Sequence, residues 1–304
     1  MRGDMSHVQM RPEGVPPVPV PYYDPLGEVK KYIQQEVPWF GYFAESFLAP
    51  PGVMAYGDEV AHLEASFADT TLGDLQSMVP GSELFMTHFS AYWDVLQNSR
   101  VAPNFTVMTG DKDDPRFDAF YLHGNEARLF TALFLPDMPS YQALGFEQRD
   151  PHPVPAPNEY YTKLYVFCME EGEKATHGPY QWGQNGGLFD SIQRIRAAAD
   201  QCLPVIQNTV TRWLLPPNPA TDLPVIAWTT TPFHGLLFLQ NYSATQAASM
   251  TIPVQEENAT WECIFSTHPK KTEAQWTQEG DHLVIHGLAP GESWILRDKN
   301  RFSI

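Results

Sequence analysis

The strongest constraint in this chain is a change of rhythm near residue 203. Before that point, short apolar runs alternate with segments of helical period. Residues 1–8 read as a short strand ending in polar groups, and 25–36 as a helix with Leu26, Val29 and Ile33 on one face. VMAY at 53–56 reads as a buried strand running into Gly57-Asp58-Glu59, and 72–79 as a strand end carrying Asp74 and Gln76. Residues 82–96 predict a helix capped by Ser82, followed by the strand NFTVMTG at 104–110. A helix over 125–135, strand and loop in MPSYQALGFE at 138–147, and a helix over 189–202 complete this part. Strands that alternate with helices must run parallel, because each helix carries the chain back to the starting edge. After residue 203 the helical period stops. VIAWTT, GLLFLQNYS, SMTIPV, WECIFS, HLVIHGL and ESWILR are strand-like runs separated by turns, the pattern of a β-sandwich. The expected division is an α/β part over 1–203 and an all-β domain over 204–304.

Charge narrows the partners. The formal net charge is −17 in 304 residues, so phosphate backbones are repelled and nucleic acid is not an expected ligand. No run approaches ~18 apolar residues, so no membrane span is expected. The three cysteines, Cys168, Cys202 and Cys263, form no CxxC pair and read as buried thiols. His62, Glu64 and His88 do not converge on a metal-ligand spacing, which favours helix-surface or core roles. Neutral sugars suit an acidic chain with 13% aromatic residues, because their apolar faces stack on rings.

Carboxylates recur where strands end: Asp4, then Asp58 and Glu59, then Asp74, then Asp111 and Asp113. A (β/α) barrel places its chemistry at such ends. Cleaving a glycosidic bond with retention needs one carboxylate to attack and one carboxylic acid to protonate the leaving oxygen. Acidic residues are also common in loops, so the count alone does not decide.

The words around these acids carry a resemblance. Arg2-Gly-Asp4-Met-Ser-His7 resembles the fourth-strand motif of the alpha-amylase family (glycoside hydrolase family 13), in which Arg precedes the nucleophilic Asp by two. Gly57-Asp58-Glu59 is similar to the fifth-strand segment that holds the general acid/base. Asp111-Lys112-Asp113-Asp114-Pro115-Arg116 resembles the seventh-strand motif, and PSYQALGFE, 139–147, the eighth. The four occur in the family's order. The resemblance implies a partial (β/α)8 TIM barrel, strands four to eight, followed by an all-β C-terminal sandwich domain. It implies Asp4 as nucleophile, Glu59 as acid/base and Asp113 as transition-state stabiliser. Arg2, His7, Lys112 and Arg116 would bind substrate, an α-linked glucose oligo- or polysaccharide. No cofactor is implied, and calcium stays open, as does the compartment. Water or a second sugar could resolve the covalent intermediate, and a non-catalytic carbohydrate-binding or partner-dependent half-barrel is the other reading.

Each residue has a structural alternative. Arg2 and Asp4 could form a surface ion pair at the start of the chain, and Glu59 could sit in a helix's first turn. Asp58 competes with Glu59, since neighbouring strand residues face opposite ways. Asp111 and Asp114 compete with Asp113; Asp74 and Gln76 serve equally well as loop structure; Tyr180 and Trp182 read as a packed loop or a sugar platform. Two departures stand out. Lys112 and Asp111 replace the family's usual His and Asn. Nothing matches the family's first three strands, so the chain is expected to be a fragment or to need the missing N-terminal half of the barrel as partner. An open half-barrel exposes sheet edges and apolar faces.

Overall fold

The computed structural model describes residues 1–4, 6, 24–48, 60, 63, 67–75, 78–108, 124–143, 146–147, 163–164, 186–254, 259–268 and 275–301. The chain divides into two compact units. One comprises Met1–Leu75, Ala91–Thr106 and Met138–Tyr141; the other comprises Gln76–Ser90, Val107–Asp137 and Gln142–Ile304.

The first unit is built on four short parallel strands: β1 (Arg2–Gly3), β2 (Phe43–Ala44), β3 (Thr70–Thr71) and β4 (Ala102–Pro103). They lie side by side in chain order. A doubly wound sheet reverses that order at a switch point, whereas a barrel keeps it, so this order is the barrel's. After Asn104 the chain resumes as β5 (Phe105–Met108), which pairs with β6 (Ser140–Ala143).

The register sorts residues into rows. Gly3, Ala44, Thr71 and Pro103 share one row, and all are buried. Helix α1 (Pro25–Gln34) covers this side: Leu26 packs against the cluster of Tyr42, Ala44, Leu63, Ala68 and Val101. Asp24 caps the helix by accepting from the Leu26 amide at 3.1 Å, and Pro25 follows, where its missing N–H costs no bond. Lys30 fastens α1 to the entry of β3, donating to Asp69 at 2.6 Å and to the Phe67 carbonyl at 2.9 Å. The opposite row, Arg2, Phe43, Thr70 and Ala102, is exposed or half-buried.

Helix α2 (Glu83–Asn98) starts where its sequence signal lies, with Ser82 Oγ accepting from the Phe85 amide at 3.1 Å. In the second unit, α3 (Asn125–Phe134) packs against α4 (Gly186–Ile206). Helix α4 runs four residues past the expected end at Cys202 and carries Pro204 within it. β7 (Phe146–Glu147) and β8 (Lys163–Leu164) form a small antiparallel pair.

The remaining strands are β9 (Val210–Leu215), β10 (Val225–Thr231), β11 (Leu236–Asn241), β12 (Ala248–Pro253), β13 (Trp261–Ser266), β14 (Trp276–Glu279), β15 (His282–Leu288) and β16 (Ser293–Asp298). β13-β16-β11-β10-β9 make one antiparallel sheet and β12-β15-β14 another. Inward residues of both sheets, among them Leu237, Leu239, Ile252, Leu283 and Ile285, form one apolar core, which makes this the expected sandwich. Helix α3 is tied to it by the Trp228 indole N–H donating to the Phe134 carbonyl at 2.9 Å. Asp137, just past α3, accepts from the Thr211 amide at 2.9 Å. Cys202 is a buried free thiol as expected, but Cys263 is an exposed one, because its position on edge strand β13 faces outward.

Candidate active site

The described part of the site grows from β1 and β2. Their register is locked by the Phe43 amide donating to the Met1 carbonyl at 2.8 Å and the Glu45 amide donating to the Gly3 carbonyl at 3.0 Å. Gly3 lets β1 lie this close to α1. A Cβ there would meet Leu26 Cδ1 at 2.6 Å, Ser6 Oγ at 2.8 Å and Tyr42 Cε2 at 3.0 Å. Ser6 Oγ donates back to the Gly3 carbonyl at 2.7 Å. Asp4 and Glu45 therefore leave adjacent parallel strands at the same end, each directly after its strand.

Arg2 links them. One terminal guanidinium nitrogen is ion-paired to Glu45 Oε1, and the other donates to the Tyr141 hydroxyl at 3.1 Å. The Arg2 guanidinium is held above its ordinary proton affinity. Burial works against its charge, but Glu45, Tyr141 and Asp4 outweigh it. Phe43 and Tyr141 stack with ring centroids 5.2 Å apart, and the guanidinium carbon lies 5.9 Å and 5.6 Å from the two ring centres. A cation, two carboxylates and two rings thus meet at the strand ends, a group able to bind a neutral polar ligand and to handle charge.

Asp74, beyond β3, is engaged differently. Its Oδ1 accepts from the Tyr92 hydroxyl at 2.8 Å, and the same hydroxyl accepts from the Asp74 amide. Gly73 makes room for that phenol at φ +65°, and a Cβ would lie 1.8 Å from the Tyr92 oxygen. This is loop structure, one of the two roles open to Asp74 from sequence.

Of the expected site residues, Arg2 and Asp4 are brought together. Glu59, Asp113, His7, Lys112 and Arg116 lie outside the described residues, as do the VMAY run, Asp58, Asp111, Asp114, Gln76, His62, Glu64, Tyr180 and Trp182. Glu45 and Tyr141 were not singled out by the sequence. The strand that neighbours β1 is Phe43–Ala44, and the carboxylate that ends it is Glu45. The available signal was the aromatic run FGYFAE closing on an acid. Among the described residues no group of three or more His, Cys, Asp or Glu could hold a metal ion, and no helix is long and apolar enough to cross a membrane.

Neither a family model nor a curated protein matches the chain in sequence. Solved structures do match in fold. An alpha-amylase from H. orenii superposes over 90% of this chain and 56% of its own, with TM-score 0.53 and 14% identity. A debranching enzyme from Nostoc punctiforme covers 91% of this chain and 56% of its own, with TM-score 0.53 and 12% identity. The trehalulose synthase MutB from Pseudomonas mesoacidophila MX-45 covers 91% and 60%, with TM-score 0.52 and 11% identity. The chain thus spans less than two thirds of the length of these structures. The resemblance carried by the strand-end motifs holds at the level of the fold: this is the TIM-barrel and β-sandwich architecture of the alpha-amylase-family enzymes.

Proposed function

We propose that this chain carries the nucleophile and acid/base half of a retaining site for α-glucosidic bonds, with Asp4 as nucleophile and Glu45 as acid/base. The observation that supports this reading is the Arg2 bridge: the two carboxylates that end adjacent parallel strands share one guanidinium. Asp4 attacks the anomeric carbon while protonated Glu45 gives its proton to the departing glycosidic oxygen. Glu45, now a carboxylate, takes a proton from water or from a sugar hydroxyl, which displaces Asp4. Arg2 keeps Asp4 ionised between turnovers. The resemblance leaves Asp113 the role of stabilising the oxocarbenium-like transition state. Glu59 is the competing acid/base, on the sequence motif alone. The division into a barrel half, 1–203, and a sandwich domain, 204–304, belongs to the same reading.

The test is a comparison of Asp4→Asn, Glu45→Gln and Glu59→Gln on two substrates. One is a maltooligosaccharide, whose leaving group needs a proton; the other is α-glucosyl fluoride, which leaves without one. Asp4→Asn should abolish cleavage of both. Glu45→Gln should lose maltooligosaccharide cleavage by ~10²–10⁴-fold, the usual worth of a general acid, and keep the first, fluoride-releasing step with α-glucosyl fluoride as a burst, while resolution of the intermediate slows for want of a base. Glu59→Gln should change neither. Intact mass after fluoride treatment of Glu45→Gln should show one glucosyl group, mapped to Asp4. Full activity in both Asp4→Asn and Glu45→Gln would refute the reading, and product analysis separates hydrolysis from transfer.

A further inference from the structure

We infer that Tyr141, on β6, is a positioning residue that clamps the Arg2 guanidinium against Glu45. The inference rests on the site reading above and extends it to a side chain 139 residues away in sequence. β6, which carries Tyr141, is hydrogen-bonded to β5, while β1 belongs to the four-stranded sheet. The link between the two is made by side chains.

Arg2 needs such a clamp. Its side chain is 44% exposed and Glu45 is 21% exposed. An ion pair this open to water is worth ~0–1 kcal/mol and does not hold a long side chain in one orientation. Tyr141 adds two constraints. Its hydroxyl accepts from the guanidinium nitrogen that Glu45 does not use, so both ends of the planar fork are fixed. Its ring, stacked on Phe43, walls the guanidinium with aromatic faces. Both ring-bearing positions are set by backbone: Phe43 by its register with Arg2, and Tyr141 by β6, where the Phe105 amide donates to the Pro139 carbonyl at 2.8 Å. With the fork fixed, Glu45 has one geometry relative to Asp4. Without it the guanidinium is free to swing into solvent and take Glu45 with it.

Tyr141→Phe keeps the ring and removes only the acceptor. The activity-independent readout is the NMR of Arg2 in the whole chain labelled at arginine, with Arg2→Lys identifying the signal. In the wild type the two terminal nitrogens should be distinct because rotation of the clamped fork is slow. In Tyr141→Phe they should merge, with the thermal midpoint unchanged. In cleavage, Tyr141→Phe should lower kcat for maltooligosaccharide about tenfold at constant KM, the rate equivalent of one lost hydrogen bond to a charged group. It should spare the first, fluoride-releasing step with α-glucosyl fluoride. An Arg2 signal identical in wild type and Tyr141→Phe overturns the clamp. If Glu45→Gln is inactive but Tyr141→Phe cleaves normally, the positioning role fails while the site reading stands. If Glu45→Gln cleaves normally, the site reading fails on its own evidence, and the Arg2 spectrum still decides the clamp.

Discussion

Glu292 offers a prediction whose size can be worked from the structure. Its side chain is fully buried at the turn before β16, yet it is held ionised. Burial alone would raise its proton affinity. Hydrogen bonds from His268, from the Trp294 indole, from the Ala289 amide at 2.8 Å and from Ser266 Oγ at 2.9 Å overcome that and bring its pKa down from 4.5 to about 2. A folded-state value below the unfolded one means stability that is fully present above pH ~4.5. It is lost as pH falls from ~4.5 toward ~2. The fall from 4.5 to about 2, at ~1.4 kcal/mol per tenfold change in proton affinity, would be ~3 kcal/mol; screening at the half-exposed His268 reduces this to about 2 kcal/mol. Glu292→Gln keeps the shape, but its amide nitrogen cannot accept where a carboxylate oxygen did. Urea titrations followed by tryptophan fluorescence at pH 7, 5, 3.5 and 2.5 should show the variant about 2 kcal/mol less stable at pH 7 and 5. The gap should close to within ~0.5 kcal/mol by pH 2.5. Curves that stay parallel over this whole range would refute the argument, because the charge would then contribute nothing.

Other outcomes follow from single contacts. Asp24 is the reverse case: burial raises its carboxyl to about 6 against the Gly27 and Leu26 amides that lower it, so it adds stability at low pH that is lost as pH rises from ~4 through ~6. Asp24→Asn, which still caps α1, should gain ~1–2 kcal/mol over wild type at pH 8 and nothing at pH 4, read as the difference in urea midpoints. Trp228→Ala should cost ~3–5 kcal/mol and lower the calorimetric midpoint, since it removes a fully buried ring stacked on Phe238 at 5.4 Å and the bond to the Phe134 carbonyl. Gly3→Ala should cost ~1–3 kcal/mol by overpacking against Leu26, and the pair Gly3→Ala with Leu26→Ala should cost less than the sum of the two, measured in a double-mutant cycle.

Much of the architecture could be read from period alone, and the reason shows in the two parts of the chain. The sandwich strands bury alternate side chains on one shared core, as β15 does with Leu283 and Ile285 inward, so the sequence repeats every two residues. The helices were found for the same reason, with Ser82 marking a start that the structure keeps. Elements without a repeat leave no such signal. β9 and β14 do not follow the pattern cleanly: TRWLL is half-buried on both faces, and WTQE is short and polar. α4 runs past its expected end at Cys202 and through Pro204, whose ring fixes φ at a helical value, on to Ile206.

The candidate site was legible only where chemistry and strand length coincided. Arg2 and Asp4 stand two apart around a glycine, Arg2 within the short strand and Asp4 directly after it, and the spacing itself is informative. Glu45 had no such marker. β2 contributes two residues to the sheet, too few to show alternation, and it sits between Gly41 and the Pro50-Pro51-Gly52 run that reads as loop. The reading of Glu59 rests on Gly57-Asp58-Glu59, which resembles the fifth-strand segment and follows the apolar run VMAY. The register shows what sequence could not: Phe43 pairs with Arg2 and Ala44 with Gly3, so the next residue on each strand is a carboxylate. That adjacency across 41 residues arises from the αβ crossover through α1, which must return the chain to the neighbouring parallel position. A carboxylate pair formed in this way depends on the length and packing of the helix between its members. It follows that shortening the 35–42 connection by one residue should separate Asp4 from Glu45 while leaving the sandwich intact. In that deletion variant, maltooligosaccharide cleavage should be lost while the tryptophan-monitored unfolding of the C-terminal strands keeps its midpoint; retained cleavage would mean that the pairing of these two strands does not build the site.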